Sequence, residues 1–347
     1  MRAFSPAVKT RMKITFVGPL ISTFVKNDIT ILRQEHELDI IDSAIGRGWR
    51  AGVNLVVLQL RIAASMLSRD ALYFWFADYH TLCTSIIARM LGKKVFVVVG
   101  GFEIENLPDL GVGARTRRWR WFAVKHTLQF ATHLFPVSND TQHEVDIQIP
   151  HHSKSTVIYN AVDTARFKYD GREKKQIALT VSQADAVADY ELKQMGLFLE
   201  LAREMPECEF RIVGLRGAAQ EKALADASEI PNAVAIEGPL PPMGLVEEFQ
   251  NAAAYCQFSL VESFGLAVAE AMNSGCVPIV APVPALQEVV GNLGYTKERA
   301  DKQGLLDALR SSMSAPLEER LKIMRLGARF DISVRAHKLL ESIQTAL

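Results

Sequence analysis

The sequence has no surplus of charge of either sign. Its 347 residues include 39 Lys and Arg residues, balanced by 39 Asp and Glu residues. A protein that binds mainly nucleic acid needs a basic surplus to neutralise phosphates, so we expect no nucleic-acid partner. A local basic patch is still compatible with a neutral total.

Cysteine is scarce and shows no pattern. The four cysteines, Cys83, Cys208, Cys256 and Cys276, have neither paired spacing nor a neighbouring histidine cluster. This disfavours a disulfide framework and a zinc site, and it favours small buried thiols in a reducing compartment.

Long apolar segments are also absent. No run of about eighteen apolar residues occurs, and the basic stretch MRAFSPAVKTRMK lacks the apolar region of a secretory signal. Because 49% of the residues are hydrophobic, a sizeable core is nevertheless available. We therefore expect a cytoplasmic α/β protein that is long enough for two domains.

Short hydrophobic segments alternate with helical segments, and this pattern restarts near residue 176 with QIALTVS. Such alternation predicts parallel strands joined by crossover helices, and thus two Rossmann-like, doubly wound domains. We expect domains over 1–162 and 163–330, with a C-terminal helix over 331–347 that packs back on the first domain. Ligands of such sheets bind at the carboxyl ends of the strands, which would face one central cleft.

The stretch SLVESFGLAVAEAMNSGCVPIV contains two carboxylates beside a predicted helix start. Glu262 lies in the loop after a strand; Phe264, Gly265 and Leu266 open the helix; Glu270 lies one turn inside it. Amides at a helix start bind anions, and a glycine lets a phosphate approach the backbone. Carboxylates beside a phosphate suit sugar hydroxyls, with Glu270 on ribose and Glu262 on a transferred sugar. The alternative is a surface helix with acidic residues near its start.

This stretch resembles the signature of the retaining family-4 (group 1) glycosyltransferases, E-x-F-G-x-x-x-x-E-A-M-x-x-G-x-P-V-I, which have the GT-B fold. The matching residues are Glu262, Phe264, Gly265, Glu270, Ala271, Met272, Gly275, Pro278 and Ile279, although the order of proline and valine is shifted, since this chain reads CVPIV. The segments VIYNAVDTARF, PVSND and LKQMGLFLELA are similar to further landmarks of the family, so the resemblance covers nearly the whole chain.

The resemblance implies an enzyme of glycan biosynthesis that moves a hexose, with retention, from a UDP- or GDP-linked donor to a glycan or lipid-linked acceptor. It implies an acceptor-side first domain and a donor-binding second domain, in which Glu262 contacts the donor sugar and Glu270 the ribose hydroxyls. We expect no metal, because no D-x-D-like cluster stands where a diphosphate would lie. Two alternatives remain open: a non-catalytic nucleotide-sugar-binding relative, and another GT-B enzyme such as a sugar-nucleotide epimerase.

Three further residues are candidates for the donor site. Lys193 begins a predicted helix just past a strand, where a lysine would stabilise charge on a leaving diphosphate; the alternative is a solvated lysine. Gln183 occupies a strand end at which the family usually has an arginine, and no cation lies between Lys175 and Lys193. Gly18 ends the first strand and would let a ligand approach, although a tight turn is the simpler explanation.

The stretch VVVGGFE stands where many members of the family read V-x-V-H-G-x-D. Here Gly100 replaces the histidine and Glu103 stands for the aspartate, so Glu103 is a candidate acceptor-side carboxylate. The pair Gly100 and Gly101 would leave the backbone open to a sugar. At the end of the preceding strand, His80 or Asp78 would take the missing role; a structural histidine is the alternative for His80.

A basic, aromatic helix is predicted over 115–131. Its residues Trp119, Phe122 and Phe130 form one stripe, and Trp121, Val124 and Leu128 form another that is nearly opposite. One stripe must face the core, and the other would lie with its arginines on an anionic membrane or along a lipid-linked acceptor. The candidates for this contact are Arg117, Arg118, Trp119, Arg120 and Trp121. A packed helix with solvated arginines and a contact between domains are the alternatives.

Overall fold

The computed structural model describes residues 10–46, 50–238 and 240–346, which fall into two compact units. The first unit runs to Asn160 and resumes at Ser333, and the second is Ala161–Ile332. Each unit has one parallel sheet covered by helices. The predicted fold class, α/β with two Rossmann-like parallel-sheet domains, is confirmed.

The first unit contains a five-stranded sheet. Its strands are β1 (Lys13–Gly18), β2 (Glu37–Asp42), β3 (Ala71–Trp75), β4 (Lys94–Val99) and β5 (His133–Pro136), in the spatial order β2-β1-β3-β4-β5. All neighbouring strands are parallel. The central strands β3 and β4 are almost continuously hydrophobic because helices cover both of their faces.

Five helices alternate with these strands. They are α1 (Thr23–Leu32), α2 (Arg50–Ser65), α3 (Thr81–Met90), α4 (Arg118–Phe130) and α5 (Asn139–Gln148), with 3₁₀ turns at Pro108–Leu110 and Ala114–Thr116. Side chains of a strand point alternately to the two faces of its sheet. On β3, Leu72 and Phe74 join the apolar core under α2, α3 and α4, whereas Tyr73 and Trp75 face α1.

The second unit contains a six-stranded sheet. Its strands are β6 (Lys175–Val181), β7 (Glu209–Val213), β8 (Ala233–Ala235), β9 (Ala252–Gln257), β10 (Val277–Val280) and β11 (Tyr295–Thr296). They are parallel and follow the order β11-β10-β9-β6-β7-β8. The carboxyl ends of β9, β6 and β7 therefore lie side by side at one edge of this sheet.

Eight helices connect or follow the strands of the second unit. They are α6 (Val187–Leu192), α7 (Met195–Glu204), α8 (Gly217–Ser228), α9 (Pro242–Asn251), α10 (Leu266–Asn273), α11 (Pro284–Val290), α12 (Lys302–Met313) and α13 (Leu317–Gly327), followed by a 3₁₀ turn at Ala328–Phe330. The last helix of the chain, α14 (Ile332–Thr345), belongs from Ser333 onward to the first unit.

A buried ion pair holds α14 in the first unit. The guanidinium of Arg335 contacts both carboxylate oxygens of Asp28 on α1, at 2.6 and 2.7 Å. The hydroxyl of Tyr73 and the indole N–H of Trp75 donate to the same carboxylate, each at 2.7 Å. Because Asp28 and Arg335 are almost completely buried, these partners replace the water that both charges lose on folding.

Candidate active site

The central feature of the second unit is a carboxylate held at a strand end. Glu262 follows β9, and its Oε2 atom accepts a hydrogen bond from Nζ of Lys193 at 2.7 Å and from Nε2 of Gln257 at 2.5 Å. No hydrogen bond to the other oxygen, Oε1, is found within the described ranges. The Glu262 side chain is only 19% exposed, and the two hydrogen bonds to Oε2 hold it in one orientation.

The loop that carries Glu262 is braced from two sides. The guanidinium of Arg299 donates to the carbonyl oxygens of Phe258 and Ser259, at 2.9 and 2.6 Å. The backbone N–H of Leu260 donates to the carbonyl of Leu192, the residue before Lys193, at 2.9 Å. The two loops that supply the ion pair are therefore connected by their backbones as well as by their side chains.

Lys193 does not begin a helix, contrary to the sequence prediction. It is the C-cap of α6, and Gln194 separates α6 from α7 in the left-handed conformation, at φ 55° and ψ 43°. A side chain is disfavoured in this region, where glycine is the usual residue. The break between the two helices turns the lysine toward Glu262.

Helix α10 begins at Leu266, immediately after the glycine that the sequence pointed to. Gly265 has φ +88°, and a Cβ atom built on it would lie 2.6 Å from Cδ2 of Leu286. The adjacent Phe264 is buried and packs edge-on against Phe330, with ring centroids 5.1 Å apart. The packing of Phe264 and the glycine conformation of Gly265 therefore fix the start of the helix. The backbone N–H groups of the first turn of a helix have no partner within the helix, so they can bind an anion.

Glu270 lies one turn inside α10 and is partly buried. Burial raises the pKa of its carboxyl group to about 8, and the nearby positive charge of Arg166 opposes this rise. Glu270 is therefore mostly protonated at neutral pH in the ligand-free protein. Hydroxyl donors would stabilise the ionised form and lower the pKa.

Gln183 is exposed in the loop after β6, next to the carboxyl end of β7. A cation that the sequence analysis missed lies in this region, since Arg216 precedes α8 and contacts Asp185 at 2.9 Å. Gly214, which also follows β7, has φ +90° and its position leaves no room for a Cβ atom beside the carbonyl oxygen of Ser182. Arg216 follows β7 closely in the sequence. Because ligands of such sheets bind at the carboxyl ends of the strands, a search of the loop after β7 could have identified this residue from the sequence.

In the first unit, Glu103 lies just beyond β4 and is completely buried. Its Oε1 atom accepts hydrogen bonds from the backbone N–H groups of Ala77 at 3.1 Å and Gly100 at 3.4 Å. Its Oε2 atom has no hydrogen-bond partner among the described residues. Burial raises the pKa of Glu103 to about 7, while the backbone N–H groups oppose the rise. This carboxyl group joins the ends of β3 and β4 and changes charge near neutral pH.

The backbone at Gly100 is not open, contrary to the sequence prediction. A Cβ atom built there would lie only 2.1 Å from Cε1 of Phe76, so the ring of Phe76 fills the space that a side chain would take. Phe76 itself has φ 69°, a conformation that is unfavourable for a bulky residue. The absence of a side chain at Gly100 thus goes together with a strained aromatic residue at the end of β3.

His80 and Asp78 both follow β3, but they are in different situations. Asp78 forms a two-pronged contact with Arg120 of α4, at 2.8 and 2.5 Å. His80 is buried, and its Nε2 atom has no hydrogen-bond partner in the described part of the chain. Burial lowers the pKa of His80 to about 4, so the ring is neutral at physiological pH.

Gly18 is the last residue of β1, and packing explains its identity. A Cβ atom on Gly18 would lie 2.9 Å from Cβ of Trp75 on the neighbouring strand. The structure places Gly18, His80 and Glu103 in the first unit, whereas Lys193, Glu262 and Glu270 are in the second.

The basic helix is shorter than predicted, since α4 begins at Arg118 after a 3₁₀ turn. Val124 and Leu128 are buried, and Trp121 packs partly against the same core. On the outer stripe, Trp119 is 79% exposed, with Phe122 and Phe130 about half-exposed. The expected split into a core stripe and an outer stripe is present, but Trp121 belongs to the inner one.

The cations of this segment differ in their contacts. Arg120 pairs with Asp78 and lies over the ring of Phe102, 4.6 Å from its centroid. Arg117 and Arg118 are exposed at the start of the helix. Arg120 is therefore part of the strand-end structure, which leaves Arg117 and Arg118 as the arginines directed to solvent.

Among the described residues, no group of three His, Cys, Asp or Glu side chains is arranged to hold a metal ion. The same residues include no helix with the length and apolar character needed to span a bilayer.

Known proteins resemble the chain in two ways. Residues 162–329 match the family model described as glycosyl transferases group 1. A search of curated proteins gave no match. Many solved structures have a fold similar to that of this chain, at low sequence identity.

Three of these solved structures illustrate the likeness. Anabaena HepE in complex with UDP and glucose has a TM-score of 0.73 at 14% identity, over 96% of this chain and 100% of that one. Sucrose-phosphate synthase from Thermosynechococcus elongatus has a TM-score of 0.77 at 11% identity, over 96% and 99%. A trehalose-6-phosphate synthase studied for glycosyl transfer with retention has a TM-score of 0.71 at 9% identity, over 96% and 99%.

Proposed function

Because residues 162–329 match the group 1 glycosyltransferase family model and the chain has the GT-B fold, we propose that it transfers a hexose from a UDP- or GDP-linked donor to a glycan or lipid-linked acceptor, with retention of configuration. The observation that carries the proposal is the contact of Lys193 and Gln257 with one oxygen of Glu262 at a strand end. Retention is further supported by the similar trehalose-6-phosphate synthase, which was studied for that stereochemistry.

In the proposed reaction, the bond between the anomeric carbon and the diphosphate breaks, and a bond from the same carbon to an acceptor oxygen forms. The acceptor hydroxyl gives its proton to the departing diphosphate. Negative charge grows on the diphosphate as its bond to the anomeric carbon breaks, before the proton arrives, and Lys193 and the first amides of α10 would stabilise that charge. Lys193 would exchange part of its contact with Glu262 for the phosphate.

Glu262 would accept a hydroxyl of the transferred sugar through Oε1, because Oε2 is already bonded to Lys193 and Gln257. Gly265, with the backbone of Phe264 and Leu266, would line the diphosphate, and Glu270 would accept the ribose hydroxyls. Gln183 would contribute a neutral contact to the same ligand, and Arg216, which precedes α8, would be an additional cation at this edge of the sheet.

We assign acceptor-side roles to Glu103 and His80 in the first unit. Glu103 would accept an acceptor hydroxyl through Oε2 when ionised, and neutral His80 would offer Nε2 as a hydrogen-bonding atom. Gly18 would line the ligand by its backbone only. These roles are separable from donor binding, since they belong to the other unit.

Transfer would require no metal, and the site of action would be the cytoplasmic face of a membrane. We propose that α4 makes peripheral contact with anionic lipid through Trp119 and the neighbouring Arg117 and Arg118, whose exposure supports this role. Activity that is unchanged by a chelator would support metal-independent transfer, and activity that is lost on chelation would contradict it.

The test is release of nucleotide from a panel of UDP-, GDP- and ADP-sugars, with and without candidate acceptors, followed by NMR assignment of the anomeric configuration of the product. Glu262→Gln keeps the size of the side chain but removes its charge. We expect this variant to lose transfer while nucleotide affinity changes less than about threefold. The matched control is Glu298→Gln, in the loop before α12, which should keep full activity.

A non-catalytic nucleotide-sugar-binding protein is the second candidate. The observation that favours it is the ring of Phe76 over Gly100, which excludes any side chain from that position. Tight donor binding without nucleotide release, for every acceptor tried, would support the binding protein and overturn the transferase.

A further inference from the structure

Three helices of the first unit form one continuous layer. Helices α2, α3 and α4 pack side by side on the same face of the sheet, and their inner residues share one apolar core. Leu58 and Ile62 of α2, Ala88 of α3, and Val124 and Leu128 of α4 are the buried members of this core. The outer faces of the three helices therefore form one surface, here named the helix layer.

The helix layer is unusually apolar on its outer side. Leu60 on α2 is 64% exposed, Met90 at the end of α3 is 82% exposed, and Trp119 on α4 is 79% exposed. Other large apolar side chains that are at least 40% exposed on the layer are Val53, Val56, Val57, Ile87, Leu91, Phe122 and Phe130. Isolated exposed apolar residues are normal in proteins, but a group of this size on adjacent helices marks a contact surface.

The charges of the helix layer all have the same sign. The three helices contain the cations Arg50, Arg61, Arg89, Arg118, Arg120 and Lys125, and their sequences contain no Asp or Glu. The whole chain, in contrast, has equal numbers of acidic and basic residues. Among these cations, Arg120 pairs with Asp78 below the layer, whereas Arg118 is exposed at the start of α4.

We propose that the whole helix layer docks on the surface of an anionic lipid bilayer, with α2 and α3 contributing apolar contact as much as α4. Apolar side chains surrounded by Lys and Arg, without carboxylates, suit the interface between acyl chains and anionic headgroups. The inference extends the peripheral contact that is proposed for α4, and it rests on that part of the proposed function.

A second copy of the chain fits this surface less well. In a two-fold dimer the same patch is used by both partners, so each layer would meet another layer. Cations would then face cations without carboxylates to pair with them. An anionic bilayer supplies the opposite charge over the same area.

The chain contains a natural reporter for α3. Cys83 is exposed and lies one helical turn before Ile87 on the outer side of α3, while the other three cysteines are buried. The experiment measures the rate at which a hydrophilic thiol reagent modifies Cys83 in the full-length protein. We expect vesicles of phosphatidylcholine and phosphatidylglycerol to slow the reaction at least about tenfold, and vesicles of phosphatidylcholine alone to leave it nearly unchanged.

The same assay distinguishes the alternatives. If α4 alone touches the lipid, the protein will sediment with anionic vesicles while Cys83 stays fully reactive, which overturns the proposal. If a second copy covers the layer, protection will depend on protein concentration and occur without lipid, which also overturns it.

Variants on α2 provide a second measurement. Val56→Ser combined with Leu60→Ser removes exposed apolar groups far in sequence from α4. Each CH₂ group that inserts into the bilayer contributes about 0.8 kcal/mol, which corresponds to about a fourfold change in the partition coefficient. Because the two substitutions remove several carbon atoms, we expect partitioning into the vesicles to fall more than about tenfold. Met243→Ser is the control, because Met243 is 70% exposed in the second unit. Equal partitioning of wild type and the α2 variant would overturn the proposal.

Both measurements use lipid binding rather than sugar transfer as the readout. Loss of nucleotide release with intact, charge-dependent lipid protection of Cys83 would count against the transferase alone. Normal transfer to a soluble acceptor with no protection would count against the lipid-docking layer alone.

Discussion

The raised pKa of Glu270 leads to a specific dependence of nucleotide affinity on pH. If the ribose hydroxyls donate to this carboxyl group, the nucleotide binds the ionised form in preference to the protonated one. The ligand-free pKa is about 8, so most molecules must release a proton before they bind at neutral pH. Affinity for UDP should therefore increase as the pH rises through 8, and Glu270→Gln should remove the dependence.

The size of the effect follows from the fraction of Glu270 that is ionised. With a pKa of about 8, roughly one-eleventh of the molecules are ionised at pH 7 and about three-quarters at pH 8.5. Apparent affinity scales with the competent fraction, so the dissociation constant of UDP should fall about eightfold over this interval. Diphosphate ionisation contributes little there, because the second pKa of a phosphate lies near 6.

The assay is isothermal titration calorimetry with UDP at several pH values between 7 and 8.5, in buffers of different ionisation enthalpy. The buffer comparison counts the protons released, which should approach one per UDP at pH 7 and decline toward pH 8.5. Glu262→Gln is the matched control and should retain the slope. A flat affinity for wild type, or an unchanged slope in Glu270→Gln, would refute the assignment of Glu270 to the ribose.

Three other predictions concern charge and backbone strain. Lys193→Ala should lower turnover by about a hundredfold or more, since one charge-stabilising donor typically contributes roughly 3–4 kcal/mol to the transition state. Lys175→Ala is the control and should leave turnover unchanged, because Lys175 is exposed. Equal small losses in both variants would show that the amides of α10 stabilise the diphosphate without Lys193. Gln194→Gly should raise the free energy of unfolding by about 0.5–1 kcal/mol in urea denaturation, because it relieves a left-handed side-chain conformation, and a destabilised variant would contradict this. Arg335→Met should lower the free energy of unfolding by about 3–5 kcal/mol in the same assay, because it leaves the buried charge of Asp28 unpaired. The double variant Arg335→Met with Asp28→Asn should regain part of this stability. A double variant that is no more stable than Arg335→Met would argue against the charge explanation.

Much of the fold was predictable because strand and helix patterns are local. Strands such as KVFVVV are short, continuously hydrophobic and ended by glycines, and the helices between them have clear apolar faces. The importance of Gly265 was also predictable, because a glycine at a predicted helix start lets an anion approach the backbone, and the structure gives this residue φ +88°. The family signature then added the function, which periodicity alone does not give.

The side-chain partners at the site were not predictable, because they depend on contacts between distant segments. Lys193 and Glu262 are separate in sequence, and only the order of β9 and β6 in the sheet brings their loops together. The packing of the Phe76 ring against Gly100 was also not predictable, since no local sequence pattern indicates that a bulky residue will have a positive φ. Sequence periodicity identified the outer stripe of α4, but only the packing of helices joined it to α2 and α3.

The buried pair of Asp28 and Arg335 has a consequence for the order in which the protein is made. The two residues are 307 positions apart, and the entire second unit is synthesised between them. While the ribosome is still making that unit, the first one holds a carboxylate in its interior without the cation that neutralises it. The first unit is therefore expected to complete its folding late, after the second has formed, so that a chain interrupted before Arg335 would present an incomplete domain to chaperones and proteases.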